Sequence, residues 1–503
     1  MITSALRCLF WPCLFTASIL ASPAASTADD GTPARTLIRN VHVFDGINEQ
    51  RIESASVLVE GNLIKAVSID PIDAAGATVI DGAGRTLIPG LTDAHVHIMW
   101  NDDVETLIYK SPPEYAGAMA AVSAQRMLHR GFTTVRDCGG PSFGLKMAID
   151  AGVVPGPRIL PSGAFISQTS GHGDFDPRLF YMSAHFTGQL EPAYLRGWTI
   201  IADGVPEVQK AARENLRYGA TQLKIMGSGS ITGAHDPLDV TEYTLEEMQA
   251  IVKEAGHWGT YATVHAYSDE SVRSAVTAGV RSVEHGLFAS EETLQMMKDK
   301  DVFFSTQFLS YSKKPEDIGM SGETAAKYLE AQRGARAGYE RAKELGLKMA
   351  WGTDILGPID LGPFQSQEFI ARAEYFTPYE ILVQATSLNA QLFERSGKRH
   401  PYQEGPLGVI EAGAYADLLI VDGNPLEDIS LLATPDEKIV LIMKDGTIYK
   451  NTIDGQLSMG VVPPQRHASS SSVPAGQSRL PLFGCRCHAL AHLTLHNPED
   501  QAP

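Results

Sequence analysis

Short apolar runs alternate with longer amphipathic stretches through the middle of the chain. The amphipathic stretches end near glycines, as helices commonly do, and predict helices over 206–219, 244–259, 269–279 and 324–346. The apolar runs are typical of buried strands and are found at residues 87–100, 132–139, 158–163, 222–229, 261–267, 282–286, 302–309 and 348–354. Eight strand-then-helix units across residues 87–400 predict an α/β fold, a (β/α)8 TIM barrel. A doubly wound sheet is the alternative.

Both ends of this middle region carry short strand patterns separated by turns. Residues 35–86 alternate apolar runs with Asp-Gly and Glu-Gly-Asn turns, and residues 401–455 repeat that pattern. We therefore expect a small β-sandwich domain built from both chain ends. Residues 171–202 lack clear periodicity, which indicates an active-site loop or lid rather than a barrel element.

The termini differ in composition from the rest of the chain. In residues 1–25, Arg7 precedes an apolar stretch and a small-residue run, which is typical of a secretory signal peptide. A membrane anchor is the alternative, but the apolar stretch is shorter than the ~20 residues a span needs. We expect export to the periplasm or the medium. Residues 456–503 start as a Pro/Ser-rich linker and are expected to be a disordered tail. The tail's metal-capable residues are Cys485, Cys487, His488, His492 and His496.

Charge and cysteine content exclude some classes of partner and of fold. The chain has 59 acidic residues against 41 Lys and Arg, giving a formal net charge of −18. Nucleic-acid binding needs clustered Lys and Arg, so no such partner is expected, and no stable membrane association is expected either. Beyond the predicted signal peptide the cysteines are Cys138, Cys485 and Cys487, which do not make a disulfide framework. The oligomeric state stays open, with a homo-oligomer as one option.

Polar side chains that can bind metal ions lie at the carboxyl ends of most of the predicted barrel strands. His95 and His97 alternate at the end of the first strand and therefore lie on one face of it, as does Asp93. The later strands contribute Lys224, His265, His285 and Asp354. Because the carboxyl ends of barrel strands meet at one mouth, these side chains are expected together. Imidazole and carboxylate suit Zn²⁺ first, with Mn²⁺, Fe²⁺ and Co²⁺ as alternatives.

The motifs around these residues resemble those of the amidohydrolase superfamily over about residues 35–455. They are "DAHVH" at 93–97, Lys224 in "KIMGSG", and the "HAY", "EHG" and "GTD" that contain His265, His285 and Asp354. Within that superfamily the chain resembles the branch that contains Xaa-dipeptidases, imidazolonepropionase-like enzymes and an ochratoxin amidase. In two-metal members the fourth-strand lysine is carboxylated by CO₂ and bridges the ions, so the resemblance implies that role for Lys224. Desolvation and nearby positive charge would supply the neutral amine that CO₂ needs.

The resemblance implies a binuclear metal-dependent amidohydrolase that cleaves an amide or peptide C–N bond. The implied ligands are His95, His97 and Asp354 for one ion, His265 and His285 for the other, and carboxylated Lys224 for both. A bridging hydroxide would attack the carbonyl, and Asp354 would take its proton and return it to the departing amine. The expected partner is a small-molecule amide or peptide substrate: a dipeptide, an N-acyl amino acid or an ochratoxin-like amide.

Two further residues are candidates for substrate binding. Tyr267 lies two residues after His265, on the same face, with a phenol that can donate to an oxyanion. His172 lies in the glycine-flanked loop "SGHGD". The resemblance implies that both contact the substrate carbonyl or carboxylate, while packing and a turn hydrogen bond are their structural alternatives. Asp93 is expected to support the ligands from behind.

The sequence leaves three other functions open. The first is a cyclic-amide or imidazolone ring hydrolase, although Lys224 argues against the single-metal members of that class. The second is a non-catalytic scaffold of the same fold. The third is metal storage in the C-terminal tail.

Overall fold

A computed structural model describes residues 33–175, 192–232, 236–318 and 320–453. The predicted signal peptide (1–25) and tail (456–503) lie outside these residues, and so does the centre of the predicted lid. In the described ranges, no helix combines the length and the apolar character that crossing a membrane requires.

The described elements alternate as the sequence pattern predicts. The strands are β1 (Arg35–Val43), β2 (Ile52–Glu60), β3 (Leu63–Ser68), β4 (Thr78–Pro89), β5 (Leu91–Val96), β6 (Phe132–Asp137), β7 (Arg158–Pro161), β8 (Phe165–Ser167), β9 (Thr199–Ile201), β10 (Leu223–Met226), β11 (Ala262–Ala266), β12 (Ser282–His285), β13 (Phe303–Thr306), β14 (Met349–Trp351), β15 (Leu418–Val421), β16 (Ile439–Lys444) and β17 (Thr447–Asn451). The α-helices are α1 (Pro113–His129), α2 (Phe143–Asp150), α3 (Pro192–Leu195), α4 (Val205–Tyr218), α5 (Leu245–His257), α6 (Asp269–Ala278), α7 (Glu291–Asp299), α8 (Gly322–Leu345), α9 (Glu368–Arg372), α10 (Pro378–Val383), α11 (Asn389–Phe393) and α12 (Pro435–Lys438).

The strands of the middle region form a parallel barrel. Its hydrogen-bonded groups have the orders β5-β6-β7 and β14-β13-β12-β11-β10-β8-β9. Two backbone hydrogen bonds connect the two groups of strands. The N–H of Thr221 donates to the carbonyl of Pro161 at 2.8 Å, and the N–H of Asp354 donates to the carbonyl of His95 at 2.7 Å. These bonds join the two groups into a ring, and the prediction of a TIM barrel is confirmed.

The third barrel strand differs from the prediction because it is interrupted. β7 ends at Pro161, and β8 resumes the strand at Phe165. Gly163 lies between them with φ of 77°, and a Cβ there would approach the Asn215 side chain to 2.5 Å, so a side chain does not fit this turn. β9 pairs with β8 in parallel, so the end of the predicted lid is a strand and that part of the prediction was wrong. Three residues are too few for periodicity to reveal a strand.

The two chain ends meet in one seven-stranded sheet of order β17-β16-β15-β4-β1-β2-β3. β4 joins the halves, because it pairs with β1 in parallel and with β15 in antiparallel register. Side chains from both halves pack in one apolar cluster that includes Val57, Ile64, Leu418 and Leu441. β4 then leads directly into the first barrel strand, so the sheet fixes where the strand with the first predicted metal ligands begins.

Candidate metal centre

The structure places the six predicted metal ligands at the carboxyl ends of the barrel strands. Each lies within or just after a different strand, apart from the first two, which share β5 and the residue beyond it. The side chains are His95, His97, Lys224, His265, His285 and Asp354. The histidines and Lys224 are buried, and the Asp354 side chain is 22% exposed. The one accessible member of the set is therefore a carboxylate.

Three of these side chains converge at the spacing that one metal ion requires. Asp354 Oδ1 lies 3.3 Å from His95 Nε2 and 3.0 Å from His97 Nε2. Donor atoms arranged as a tetrahedron around zinc at 2.0–2.1 Å are roughly 3.3 Å apart. The distances among these three side chains therefore fit a single divalent cation.

The remaining histidines extend this cluster. The ring centroids of His265 and His285 are 4.6 Å apart, and those of His95 and His285 are 5.3 Å apart. Burial is the main cause that lowers the pKa of His285 to about 3 and of His95 to about 4, and it lowers that of His265 well below its usual value. These imidazoles are neutral at pH 7, which is the form that binds metals.

Two buried histidine nitrogens without hydrogen bonds indicate whether a metal ion fits among these side chains. His265 Nε2 and His95 Nε2 are buried and make no hydrogen bond, although Asp354 Oδ1 lies 3.3 Å from His95 Nε2. A buried polar atom without a partner costs about 1–3 kcal/mol, so such atoms are rare unless a ligand satisfies them. Cations on these nitrogens would satisfy both, and the residues present therefore fit divalent metal ions.

Lys224 is buried among these imidazoles. After burial, the charge of Lys224 is one of the causes that lower the pKa of His95, His265 and His285. Among the ion pairs of the described residues, none includes Lys224. The charge of Lys224 also helps to lower the pKa of the buried Glu284 carboxyl group, and a carbamate formed from this amine and CO₂ would be an anionic ligand among the imidazoles.

A buried polar network holds the ligands from behind, and sequence reasoning missed it. Glu284 Oε2 lies 2.9 Å from His95 Nδ1, and Glu284 Oε1 accepts a 2.7 Å hydrogen bond from Arg136. Gln307 Oε1 lies 2.7 Å from His285 Nδ1. Contacts at Nδ1 fix the ring orientation and would leave Nε2 to bind a metal ion. The available signal was a pair of opposite charges inside two buried strands, in "TTVRD" and "SVEH".

Asp93 occupies the supporting position expected of it. Its Oδ1 accepts the backbone N–H of His95 at 3.0 Å, and its Oδ2 accepts hydrogen bonds from Thr353 Oγ1 at 2.7 Å and Gln365 at 3.0 Å. Burial raises the pKa of Asp93 to about 6. Asp93 thus connects the strand of His95 to the residue that precedes Asp354.

Two of the candidate ligands have strained backbones. His285 has φ of 74° and Asp354 has φ of 53°, in the left-handed region that favours glycine. This conformation costs a non-glycine residue roughly 1–2 kcal/mol. Strain of this kind concentrates at functional sites, where the surrounding structure over-determines the conformation. The strained backbone of His285 and Asp354 is therefore typical of a functional site, in which the placement of the side chains matters more than stability.

The two candidate substrate-binding residues lie on either side of His265. The His172 ring stacks on that of His265 with centroids 4.4 Å apart and planes 23° apart. The Tyr267 ring is 4.8 Å from that of His265, and its hydroxyl lies 3.1 Å from the hydroxyl of Tyr311. Burial raises the pKa of Tyr267, so its phenol stays protonated and can donate.

Comparison with known proteins gives consistent matches. The sequence model described as the amidohydrolase family matches residues 86–457. Ochratoxinase from Aspergillus niger is 30% identical over 373 residues, which cover 72% of this chain and 75% of that enzyme.

Solved structures agree with this match. A prolidase complexed with N-methylphosphonate-L-proline is 35% identical with a TM-score of 0.76, over 83% of this chain and 100% of that one. The A. niger ochratoxinase structure is 27% identical with a TM-score of 0.74, over 84% and 96% of the two chains. A Xaa-Pro dipeptidase with methionine in its active site is 28% identical with a TM-score of 0.72, over 83% and 100%.

Proposed function

Because the chain belongs to the amidohydrolase family, a family of hydrolases that act on amide or peptide bonds, we propose that it is a binuclear enzyme for small carboxylate-bearing amides. The observation that carries this proposal is the cluster of neutral, partly unsatisfied imidazoles around a buried lysine and a carboxylate. The proposed ligands are His95, His97 and Asp354 for one ion, His265 and His285 for the other, and carboxylated Lys224 for both. When bound, divalent cations such as zinc supply a polarised carbonyl and an acidified water.

Asp354 is the residue proposed to move the protons. Burial raises its pKa, but the hydrogen bond from His97, and the charges of His95 and His97 at the acidic pH where these imidazoles are protonated, outweigh burial and hold the pKa of Asp354 well below its usual range. Oδ1 contacts His95 and His97, so Oδ2 is the oxygen left for the reactants. At that atom the carboxylate would take a proton from the attacking water and return it to the departing amine.

Tyr267 and His172 are proposed to hold the substrate. Both rings contact the ring of His265, so both polar edges lie beside the reaction centre. A protonated phenol at this position would donate a hydrogen bond to the oxygen that becomes negative in the transition state. The names of the similar proteins support Xaa-Pro dipeptides and ochratoxin as model substrates.

The experiment is a substrate screen with the metal content measured on the same sample. The chain is supplied with Zn²⁺ and bicarbonate and assayed for amino acid release from Xaa-Pro dipeptides, N-acyl amino acids and ochratoxin A, with a cyclic amide alongside. The proposal expects hydrolysis of a linear amide with about two metal ions per chain. Inactivity of the fully metallated chain on all linear amides, or ring opening with one ion per chain, would contradict it.

A matched pair of variants shows that hydrolysis belongs to this site. His265→Asn removes a proposed ligand, and His257→Asn makes the same change at an exposed position at the end of α5. The first variant should lose both metal and activity, and the second should keep both.

A further inference from the structure

The connection that follows the Lys224 strand contacts both candidate substrate-binding residues. Ser228 Oγ, just beyond β10, accepts the backbone N–H of Tyr267 at 2.8 Å. Farther along the same connection, Ser230 and Asp236 both contact the imidazole of His172. The proposed mechanism gives these residues no task. Their common position suggests that the connection orients the groups that hold the substrate.

The contacts with His172 converge on one ring nitrogen. Ser230 Oγ lies 2.7 Å from His172 Nδ1, and Asp236 Oδ2 lies 3.2 Å from the same atom. The backbone N–H of Ser230 donates to Asp236 Oδ2 at 2.8 Å, which fixes the carboxylate in turn. An ionised carboxylate can only accept hydrogen bonds, so a bond between Asp236 and His172 requires the proton on His172 Nδ1, with the Ser230 hydroxyl at the same nitrogen as a further contact.

The ionised form of Asp236 is the one that its surroundings favour. The residue is only 2% exposed, and burial alone would raise its pKa. The hydrogen bond from His172, the charge of that ring when it is protonated, and the Ser230 N–H outweigh burial and lower the pKa of Asp236 below its usual value. A buried carboxylate held in this way pairs with an imidazole by a charge-assisted hydrogen bond.

The other sides of His172 are also occupied. Its backbone N–H donates to Glu242 Oε1 at 2.8 Å, and one ring face stacks on His265. Gly171 is so close to Glu242 that a Cβ there would lie 2.4 Å from Oε2, so the loop backbone is pressed against that carboxyl group. The side chain of His172 is 20% exposed. The ring edge that carries Nε2 is the part left to meet a substrate.

We propose that Asp236 is a positioning residue, which fixes the tautomer and rotation of His172 so that Nε2 faces the substrate beside His265. This inference rests on the proposed function, because it assigns His172 to the substrate. Without the carboxylate, either nitrogen of the neutral imidazole can carry the proton, and only one of the two tautomers matches the productive arrangement.

The activity test uses Asp236→Asn, which keeps the shape of the side chain but removes its charge and adds an amide donor. The loss of one charge-assisted hydrogen bond should lower kcat/KM roughly 10- to 100-fold. The matched control is Asp239→Asn, an exposed position on the same connection, which should behave as wild type. If Asp236→Asn folds poorly, Ser230→Ala is used in its place. Ser230→Ala should also lower kcat/KM, because it removes the second side-chain contact at His172 Nδ1.

A double-mutant cycle separates positioning from a general structural effect. In a His172→Ala background, Asp236→Asn should have no further effect, because the group that it positions is absent. Wild-type kcat/KM in Asp236→Asn, or an equal loss with and without His172, would overturn the proposal.

A measurement that needs no turnover keeps this test independent of the proposed function. In protein labelled with ¹⁵N-histidine, the NMR signals of His172 are those that disappear in His172→Ala. Wild type should show a protonated Nδ1, and Asp236→Asn should show a mixture of tautomers. The same tautomer in both proteins would refute the positioning role, whereas an inactive wild type with the expected tautomers would refute only the substrate assignment.

Discussion

Glu284→Gln tests how the buried residues of the barrel support the candidate metal centre. Glu284 lies between Arg136 and His95, and the side chains of Glu284 and Arg136 are both completely buried. Glutamine has the same shape but no charge, and its amide nitrogen must face one of the two neighbours. If it faces His95, it donates to Nδ1 and drives the ring proton to Nε2, the atom proposed to bind metal.

The size of the effect follows from this burial. Removing one charge from a fully buried pair leaves the other uncompensated, which costs roughly 3–5 kcal/mol. The Ser282 hydroxyl, 2.8 Å from Glu284 Oε1, can still contact the amide group, so we expect the lower end, about 3 kcal/mol of unfolding free energy. Loss of a group that orients a metal-binding histidine typically reduces metal affinity or activity 10- to 100-fold.

The assay combines guanidinium denaturation, metal content after dialysis and kcat/KM on one preparation. Glu246→Gln makes the same change at an exposed position of α5 and should leave all three unchanged. If Glu284→Gln keeps the wild-type denaturation midpoint, metal content and activity, then Glu284 does not orient His95 and our account of the supporting network is wrong.

Three further predictions follow from single buried groups. Burial raises the pKa of Glu242 from 4.5 to about 9. Between these two pH values the folded chain binds a proton that the unfolded chain does not, so the free energy of unfolding falls as the pH rises through this range. Glu242→Gln should therefore raise the unfolding free energy more at pH 8.5 than at pH 5, and equal differences in guanidinium titrations would contradict this. Asp354→Asn should lower kcat roughly 10²- to 10⁴-fold in protein reloaded with metal, because it removes the proposed base, and a kcat within a few-fold of wild type would exclude that role. Tyr311→Phe removes the hydroxyl next to that of Tyr267 and should lower kcat by up to about 10-fold without changing metal content; a loss of metal would instead indicate a structural role.

The barrel could be predicted because its helices and strands have strong local patterns. α5, for example, begins with a capping box in which Thr244 and Glu247 satisfy each other's backbone N–H groups, a signal that is visible in four residues. β9 offers no such signal, because it consists of three residues whose pairing with β8 is decided by tertiary contacts. Local pattern therefore identified long elements and missed the short strand.

The candidate metal ligands could be predicted because each lies within or just after a barrel strand, and the ends of barrel strands converge. Apart from Asp93, the supporting residues could not be predicted, because reasoning from the two-residue repeat of a strand assumes a fully extended backbone. Glu284 and His285 are neighbours in sequence and should point to opposite faces, but both lie near His95. The left-handed φ of His285 breaks the alternation. The contact between His172 and Asp236 could not be predicted from the sequence pattern either, because the two residues are 64 positions apart and lie on different connections between barrel strands.

The most direct test of the central claim is the state of Lys224 in metal-loaded protein, measured by ¹³C NMR after incubation with ¹³C-bicarbonate. We expect a carbamate carbon signal and about two metal ions per chain in the wild type, and loss of the signal, the metal and amide hydrolysis in Lys224→Ala. Lys210→Ala, which changes an exposed lysine of α4, should leave all three intact. A Lys224→Ala protein that hydrolyses the substrate at the wild-type rate would contradict the account.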